Sequence, residues 1–342
     1  MELSIDKAYA LSLEILDRVG YSFEHAQTIT DVLMQAQIDD CHSHGLYRLL
    51  NCIHSLEQGT VSADAVPEIE MLSSSIIRVN AKCGMAPLSL TNAIPQLIEQ
   101  AEQQGIALLA INNCVHTTAL WYEIELLTKA NLVGFACTSN HAWVVPEGGK
   151  IPIFGTNPMA FGWPRPNQIH PFIFDFSTTA MARGEIELYR KRGEQLPDNC
   201  GVDQHGLASN DPATILDQGA MKTFGAHKGS ALAAMVELLA GPLIGDVLSL
   251  EAQRIDAGTG GSPLGGEFIF AISPEKILGK LAEHYLDKAE ELFDGYHDQG
   301  LRLPSSRRYQ ARERNMQLGT VHVQNHIYQA LTAYLTKIKL GA

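Results

Sequence analysis

The chain has 342 residues, of which 45% are hydrophobic and 18% are charged, and its formal net charge is −13. This length predicts one large domain or two modest ones, with enough apolar residues for a buried core. The acidic balance argues against a nucleic-acid-binding protein, because phosphates require a positive face. No basic region precedes an apolar run near Met1, so we expect no secretory signal.

The six cysteines, at positions 41, 52, 83, 114, 137 and 200, form no closely spaced pair. We interpret them as reduced thiols and expect a cytoplasmic protein. The most apolar segment, Ser230 to Leu250, contains Glu237 and Asp246 and is broken by Gly241-Pro242. It is typical of a core helix, so no membrane span is expected.

The N-terminal segment, residues 1–70, is predicted to be helical. Apolar residues recur at helical spacing over Asp6–Val19 and Ser22–Gln37, with Ser22 as a candidate N-cap. A third helix is predicted to begin near Gly45. The polar stretch Asp39–Arg48 therefore lies at a break between two helices.

Residues 71–275 are predicted to form an α/β core, because strands and helices alternate there. The predicted strands are Ser75–Val79, Ile106–Ile111, Leu132–Cys137, Phe172–Phe176 and Phe268–Ile272. A helix from Leu88 to Gln104, interrupted at Pro95, is expected between the first two strands. Two long loops, Thr138–Gly162 and Gly193–Gly229, are rich in glycine and are expected to be functional.

Residues 276–342 are predicted to be a helical C-terminal segment that packs against the N-terminal one. The predicted helices are Ile277–Leu292, Ala311–Asn315 and Val323–Leu335.

The stretch Asp39–Arg48 concentrates groups that could perform catalysis. An imidazole titrates near neutral pH, so His44 is a candidate acid, whereas Asp and Ser at such a position could equally be helix caps. A guanidinium binds a carboxylate with two parallel hydrogen bonds, and Arg48 is four residues beyond His44, so both can face one cleft.

Two other kinds of site are weakly supported. Gly258-Thr259-Gly260-Gly261 precedes a strand and opens no helix, so a standard Rossmann site is not predicted. A metal site would have to combine His42 and His44 with His116, His141 or His227, which lack a ligand-type spacing, so no metal is expected.

Phosphate could bind at two basic positions. Arg302, Arg307 and Arg308 lie within seven residues, although such a run is usually a solvated surface. Lys228 precedes Gly229 at a predicted helix start, where backbone amides could also contact an anion.

Several short motifs occur together in one order along residues 5–335. They are Ser43-His44-Gly45 with Arg48, His116 with Ala119, Gly155-Thr156-Asn157-Pro158 with Gly162, Asp175, and His227-Lys228-Gly229 with Met235–Leu239. In these motifs the chain resembles the type 2 malate/L-lactate dehydrogenase family of NAD(P)H-dependent oxidoreductases. The resemblance implies a non-Rossmann, mixed-sheet fold and a homodimer.

Further features resemble one branch of that family, the Δ1-piperideine-2-carboxylate/Δ1-pyrroline-2-carboxylate reductases. These features are Ala119-Leu120-Trp121, Val144-Val145-Pro146, Met159–Gly162, and Glu185 after Gly184. The resemblance implies an NADPH-dependent reductase that converts these cyclic imine acids to L-pipecolate and L-proline. The alternatives are an NAD(P)-dependent 2-hydroxy-acid dehydrogenase and, from another class, a metal-dependent hydrolase.

The resemblance also implies roles for individual residues. His44 would donate the proton, with Ser43 and Glu185 as its relay, and Arg48, Thr156 and His141 would lie near the substrate. Two positions depart from the branch, because His141 replaces an expected Met and Thr117-Thr118 replaces a more apolar pair. The implied cofactor contacts are His116, Thr117, Thr118, Ala119, Leu120, Asp175, Phe176, Ser177, His227, Lys228, Arg302, Arg307 and Arg308. The arginine-rich run favours NADPH over NADH.

Overall fold

The structure is a computed structural model that describes residues 1–339. Its strands are β1 (Glu2–Ser4), β2 (Glu68–Ser73), β3 (Ile76–Asn80), β4 (Ile106–Val115), β5 (Val133–Thr138), β6 (Val144–Val145), β7 (Met159–Trp163), β8 (Phe172–Phe176), β9 (Gly201–Val202), β10 (Ala208–Ser209), β11 (Ala220–Lys222), β12 (Leu264–Ile272) and β13 (Thr320–His322). Its α-helices are α1 (Ile5–Val19), α2 (Phe23–Ile38), α3 (Arg48–Glu57), α4 (Ala86–Gln104), α5 (Trp121–Lys129), α6 (Arg183–Arg192), α7 (Pro212–Asp217), α8 (His227–Ala240), α9 (Ser249–Asp256), α10 (Pro274–Leu278), α11 (Ala282–Lys288), α12 (Glu290–His297), α13 (Ser306–Leu318) and α14 (Asn325–Lys339).

The core is a seven-stranded sheet in the order β2-β3-β4-β12-β5-β7-β8. β3 and β4 are parallel, whereas the other neighbours are antiparallel. The central strands are apolar because helices cover both faces: Ile111 packs with α4 and α5, whereas Ala110 packs with α8. The predicted mixed-sheet α/β core with helices at both ends is confirmed.

The five predicted strands are present, with differences at their ends. β4 continues to Val115, four residues beyond the predicted end, because Cys114 and Val115 are still buried and paired with β12. The predicted interruption at Pro95 is wrong, because α4 runs through that residue without a break.

The first helices and the last one pack together. Ser22 caps α2, because its side chain accepts a hydrogen bond of 3.3 Å from the backbone N–H of His25. Ile15, Leu49 and Leu331 belong to one buried cluster, and β1 pairs with β13. The boundaries at residues 70 and 275 stay predictions.

The C-terminal helices are divided differently from the prediction. The single helix predicted over Ile277–Leu292 is wrong: α10 ends before Gly279, a 3₁₀ turn covers Gly279–Leu281, and α11 and α12 follow. Gly279 has a φ of 56°, which ends α10 because a right-handed helix cannot contain that conformation. The short helix predicted at Ala311–Asn315 is the middle of the longer α13.

The predicted loop Gly193–Gly229 is wrong as a loop. It contains β9, β10, α7 and β11, and these strands join β6 in a four-stranded sheet. Ile186, Ile215 and Met221 fill a small separate core beneath that sheet. The predicted loop Thr138–Gly162 likewise contains β6 and begins β7.

The apolar segment Ser230–Leu250 is also two elements, because α8 ends at Ala240 and α9 begins at Ser249. None of the helices within residues 1–339 combines the length and the apolar character that crossing a bilayer requires.

Candidate active site

The polar stretch Asp39–Arg48 forms the connection between α2 and α3. Gln37, at the end of α2, holds this connection in place, because its Oε1 accepts a hydrogen bond of 2.9 Å from the backbone of Leu46. Gly45 is required at the contact, since a Cβ there would lie 2.3 Å from the same oxygen. The connection is therefore fixed to the helix that precedes it.

Ser43, His44 and Arg48 form one hydrogen-bonded group. Ser43 Oγ is 3.0 Å from His44 Nδ1, and Arg48 Nη2 is 3.5 Å from His44 Nε2. Arg48 Nε also donates to the backbone carbonyl of Ser43 at 2.8 Å. Because a guanidinium can only donate, Nε2 of His44 accepts and Nδ1–H points to Ser43. His44 is thus neutral in this arrangement.

The charges around His44 agree with that neutral state. Burial, the guanidinium of Arg48 and the imidazole of His116 together lower the pKa of His44 to about 3. Compensation of the nearby positive charge would favour protonation of His44, whereas its burial would continue to oppose it.

His116, in the segment between β4 and α5, has the opposite character. Its Nε2 lies 3.8 Å from Glu123 Oε1 and 3.7 Å from Glu267 Oε2, and all three side chains are buried. Burial disfavours charge on the ring, but the carboxylates of Glu267 and Glu123 outweigh it and raise the pKa of His116 to about 10. The two imidazoles therefore differ in charge at neutral pH.

The histidine set considered for a metal is not assembled. His42 Nδ1 instead lies 3.0 Å from Gln37 Nε2, and its ring contacts that of His322 edge-on. Within residues 1–339, the group whose ligand atoms converge is His116, Glu123 and Glu267.

Glu185 lies in the first turn of α6 and is exposed. Within residues 1–339 it forms no hydrogen bond with His44 or Ser43, so the expected relay contact is not made in this structure. Glu187, two residues further on, stabilises the charged form of Arg48 and lies 3.8 Å from Arg183 Nε. Glu187, which the sequence did not single out, therefore contributes a negative charge on the side of Arg48, and the role of Glu185 stays a prediction.

His141 is buried, and its Nε2 has no hydrogen-bond partner within the described residues. Its ring meets Trp143 edge-on at 5.3 Å, and Arg183 lies over the Trp143 ring at 4.3 Å. Two hydrogen bonds from Asn140 fix the position of Thr156. Asn140 Oδ1 accepts from the backbone N–H of Thr156 at 2.9 Å, and Asn140 Nδ2 donates to the Thr156 hydroxyl at 2.7 Å. α6 thus contacts the wall formed by His141 and Trp143 through Arg183.

The residues expected at the cofactor lie in three places. Asp175, at the end of the sheet in β8, accepts from the backbone N–H of Trp121 at 2.9 Å and so caps α5. Burial raises the pKa of Asp175 to about 6, against the effect of this hydrogen bond. Thr117, Thr118 and Leu120 are buried on the approach to α5, and Ala119 is half-buried. Ser177 forms a hydrogen bond of 2.6 Å with Thr179.

The second place is the start of α8, where His227 and Lys228 are exposed. A cavity of about 490 Å³ opens beside it, with a lining that includes Met181, Cys200, Lys222, Phe224, Gly225 and Ala226. Phe224 contacts the half-exposed Phe176 at 5.8 Å between ring centres. Ala226 has a φ of 55°, a strained conformation of the kind found at binding sites.

The third place is the region at the start of α13, where the three arginines differ in their exposure to solvent. Arg302 and Arg307 are exposed, whereas Arg308 is buried, lies 4.0 Å above the Trp121 ring and is 3.5 Å from Asp39. Arg308 is therefore not freely accessible to a phosphate, contrary to the prediction from the sequence. Its stacking on Trp121 and its ion pair with Asp39 hold the guanidinium inside the protein.

Sequence reasoning missed Glu123, Glu267 and Trp121. A signal existed for Glu267, because a lone carboxylate begins the apolar run Phe268–Ile272 and a buried carboxylate requires a partner. No local pattern reveals that the partner is His116, since their contact depends on the pairing of β12 with β4.

The structure thus combines a mixed sheet that is not a Rossmann fold with a histidine–arginine pair and a cavity beside an uncapped helix start. A sequence profile described as malate/L-lactate dehydrogenase matches residues 3–332. The chain therefore belongs to the malate/L-lactate dehydrogenase family, and the resemblance in its motifs is confirmed.

Individual relatives are similar over almost the whole chain. A Δ1-pyrroline-2-carboxylate/Δ1-piperideine-2-carboxylate reductase from Pseudomonas aeruginosa is 49% identical and aligns with 98% of this chain and 99% of its own length. A Δ1-pyrroline-2-carboxylate reductase from Burkholderia ambifaria is 48% identical over 97% of each chain. The crystal structure of Δ1-piperideine-2-carboxylate reductase from Pseudomonas syringae pathovar tomato superposes with a TM-score of 0.92 at 36% identity, covering 98% of this chain and 99% of the other.

Proposed function

We propose that this protein is a nicotinamide-dependent reductase of cyclic imine acids. It reduces Δ1-piperideine-2-carboxylate to L-pipecolate and Δ1-pyrroline-2-carboxylate to L-proline. The observation that carries the proposal is the His44–Arg48 pair, which places a carboxylate fork beside a proton-carrying group. The names of the P. aeruginosa, B. ambifaria and P. syringae relatives support the substrate class.

Each side chain of the pair has a separate task. Arg48 binds the substrate carboxylate with its guanidinium, and His44 supplies the proton to the imine nitrogen while Ser43 orients its ring. His141 and Thr156 form the substrate wall. We keep Glu185 as the expected acid of the relay, and Glu187 adds a negative charge that favours the charged form of Arg48.

A nicotinamide cofactor supplies the hydride when bound, and the residues at the start of α8 fit such a group. The helix begins without a side-chain cap. The N–H of Lys228 already donates to the Gly225 carbonyl at 3.2 Å, so the other N–H groups of the first turn are the ones that would contact phosphate. Gly229 allows the first turn of α8 to pack directly against the backbone of Phe224, because a Cβ at this position would lie 2.0 Å from the Phe224 carbonyl oxygen. We assign the diphosphate to this start with His227 and Lys228, and the nicotinamide half to the side of His116, Thr117, Thr118, Ala119 and Leu120.

We place the remaining cofactor contacts at the end of β8 and near the start of α13. Asp175, Phe176 and Ser177 border the cofactor at the end of β8, and Phe224 faces Phe176 across the cavity rim. Arg302 and Arg307 bind the 2′-phosphate of NADPH, so NADPH is the preferred cofactor and NADH the weaker one. Arg308 supports this region from inside by its contact with Trp121.

The function is tested by initial rates of NADPH and NADH oxidation with a panel of acids. We expect turnover with Δ1-piperideine-2-carboxylate and Δ1-pyrroline-2-carboxylate and little with pyruvate, oxaloacetate or ureidoglycolate. Preferential turnover of an oxo acid would instead assign the 2-hydroxy-acid dehydrogenase alternative. Failure to oxidise either nicotinamide with any of these acids would reject both reductase assignments.

Replacing Arg48 with lysine should raise the substrate KM about tenfold or more, equivalent to about 1.4 kcal/mol. A lysine keeps the positive charge but not the planar fork that binds both carboxylate oxygens. The matched control is Arg190→Lys, because Arg190 forms an exposed ion pair with Asp217. An unchanged KM in Arg48→Lys would remove Arg48 from the substrate site.

Replacing Arg302 and Arg307 with alanine should weaken NADPH more than NADH, by about tenfold in relative affinity. These side chains are exposed, so their loss should leave the fold intact. The measurement is cofactor Kd from fluorescence titration. Equal weakening of both cofactors would contradict the 2′-phosphate assignment.

We also propose a homodimer in the cytoplasm. The six cysteines are free thiols, which suits a reducing compartment. Exposed apolar side chains, including Ile277, Leu281 and Leu292, are available for a subunit contact. Light scattering on the purified protein measures the subunit number.

A further inference from the structure

Glu267 is the most deeply buried carboxylate beside the proposed site. It lies in β12, its side chain has no exposed area, and neither of its oxygens has a hydrogen-bond partner within the described residues. Cys114 and Cys137, on the two neighbouring strands, interact with it electrostatically. An unpaired carboxylate in such a place is unfavourable, so either a nearby positive charge or a proton must compensate it.

Only His116 can supply that charge among the groups that face Glu267 in residues 1–339. Its Nε2 is 3.7 Å from Glu267 and 3.8 Å from Glu123, which approaches from α5. Burial and the charge of Glu267 raise the pKa of Glu123, because two carboxylates share one small volume. A protonated imidazole between them neutralises one carboxylate completely and the other in part.

The same imidazole also acts on the catalytic side of the site. His44 is disfavoured as a cation by His116 and by Arg48, whereas Asp175 interacts favourably with a charged His116. The charge of His116 thus interacts electrostatically with His44, Asp175 and the two glutamates. These four residues belong to four different segments.

We propose that Glu123 and Glu267 are positioning residues that hold a proton on His116 and so fix a buried imidazolium beside His44. This imidazolium keeps His44 neutral in the free enzyme and offsets the charge of the two carboxylates, so that the positive charge of Arg48 remains for an anionic substrate. The effect on substrate rests on the proposed function, whereas the protonation of His116 does not.

A metal ion is the competing occupant, because one ligand atom from each of His116, Glu123 and Glu267 lies within 4.8 Å of the others. A closed zinc site requires four ligands, and this buried group provides three within the described residues. A proton meets the charge requirement with no further ligand, and it is therefore the occupant that we infer.

The test is an NMR titration of histidine-labelled enzyme, in which the ring nitrogens of His116 report its protonation. In the wild type, we expect His116 to remain an imidazolium from pH 6 to about pH 9. Glu267→Gln and Glu123→Gln should each make it neutral by about pH 8. The matched control is Glu313→Gln, which removes the exposed partner of His170 and should leave His116 unchanged.

Activity gives a second measurement. In Glu267→Gln, the alkaline limb of kcat/KM should move to lower pH by about one unit, and Glu267→Asp should restore part of the difference. A neutral His116 in the wild type at pH 7 would overturn the proposal, and so would Zn²⁺ retained by the purified enzyme in a Glu267-dependent manner. If no imine acid is reduced, the proposed function fails, but the titration still decides the charge of His116.

Discussion

Replacing His44 with alanine should lower kcat by about 10²- to 10⁴-fold while leaving NADPH affinity nearly unchanged. The variant removes the proton donor, whereas the proposed cofactor contacts at α8 and α13 are on other elements. Stopped-flow rates and fluorescence titration measure the two quantities separately. His326→Ala, an exposed position in α14, is the control for a general effect of losing an imidazole.

The low pKa of His44 is part of this expectation. In the free enzyme His44 is neutral, because burial, Arg48 and His116 all disfavour its charge. A substrate carboxylate bound to Arg48 cancels one of those positive charges, so substrate binding should raise the pKa of His44 and favour its protonation. Loss of NADPH binding in His44→Ala would show that His44 contributes to the cofactor site and would contradict its assignment as proton donor.

Sequence alone was sufficient for the parts of the fold that are encoded locally. Ser22 is followed by an amphipathic run, so α2 and its cap could be predicted, and the apolar run Phe172–Phe176 predicted β8. The site motifs were equally local, since Ser43, His44 and Arg48 are within six residues. Their contact therefore follows from one turn of chain.

The features that could not be predicted depend on contacts between distant segments. Glu267 meets His116 only because β12 pairs with β4. The small lobe built on the sheet β10-β9-β11-β6 was predicted to be a loop. The strands of that lobe have two or three residues each, too short for a periodic signal. Asp39 looked like a helix cap, but it is the centre of a buried ion-pair network.

That network connects the stretch Asp39–Arg48 to α13. Arg312 donates to both oxygens of Asp39, at 2.8 and 2.7 Å, and also contacts Glu125. Arg308 lies 3.5 Å from Asp39 and stacks on Trp121. The side chain of Asp39 has no exposed area. Within the described residues it is the ion-pair partner of Arg308, whereas Arg312 shares its charge between Asp39 and Glu125.

Replacing Asp39 with alanine should lower the free energy of unfolding by about 3–5 kcal/mol, because it leaves the buried Arg308 without its ion-pair partner and removes one of the two carboxylates that pair with Arg312. Asp40→Asn is the matched control in the next residue: its ion pair with Arg314 is partly exposed, and asparagine tolerates the φ of 56°. Asp40→Asn should lower the free energy of unfolding by about 0–1 kcal/mol. Urea unfolding measures both values, and equal losses in the two variants would contradict a network that is stabilised by burial. Because Trp121 and Arg308 border the proposed cofactor region, Asp39→Ala should also weaken NADPH binding, whereas Asp40→Asn should not.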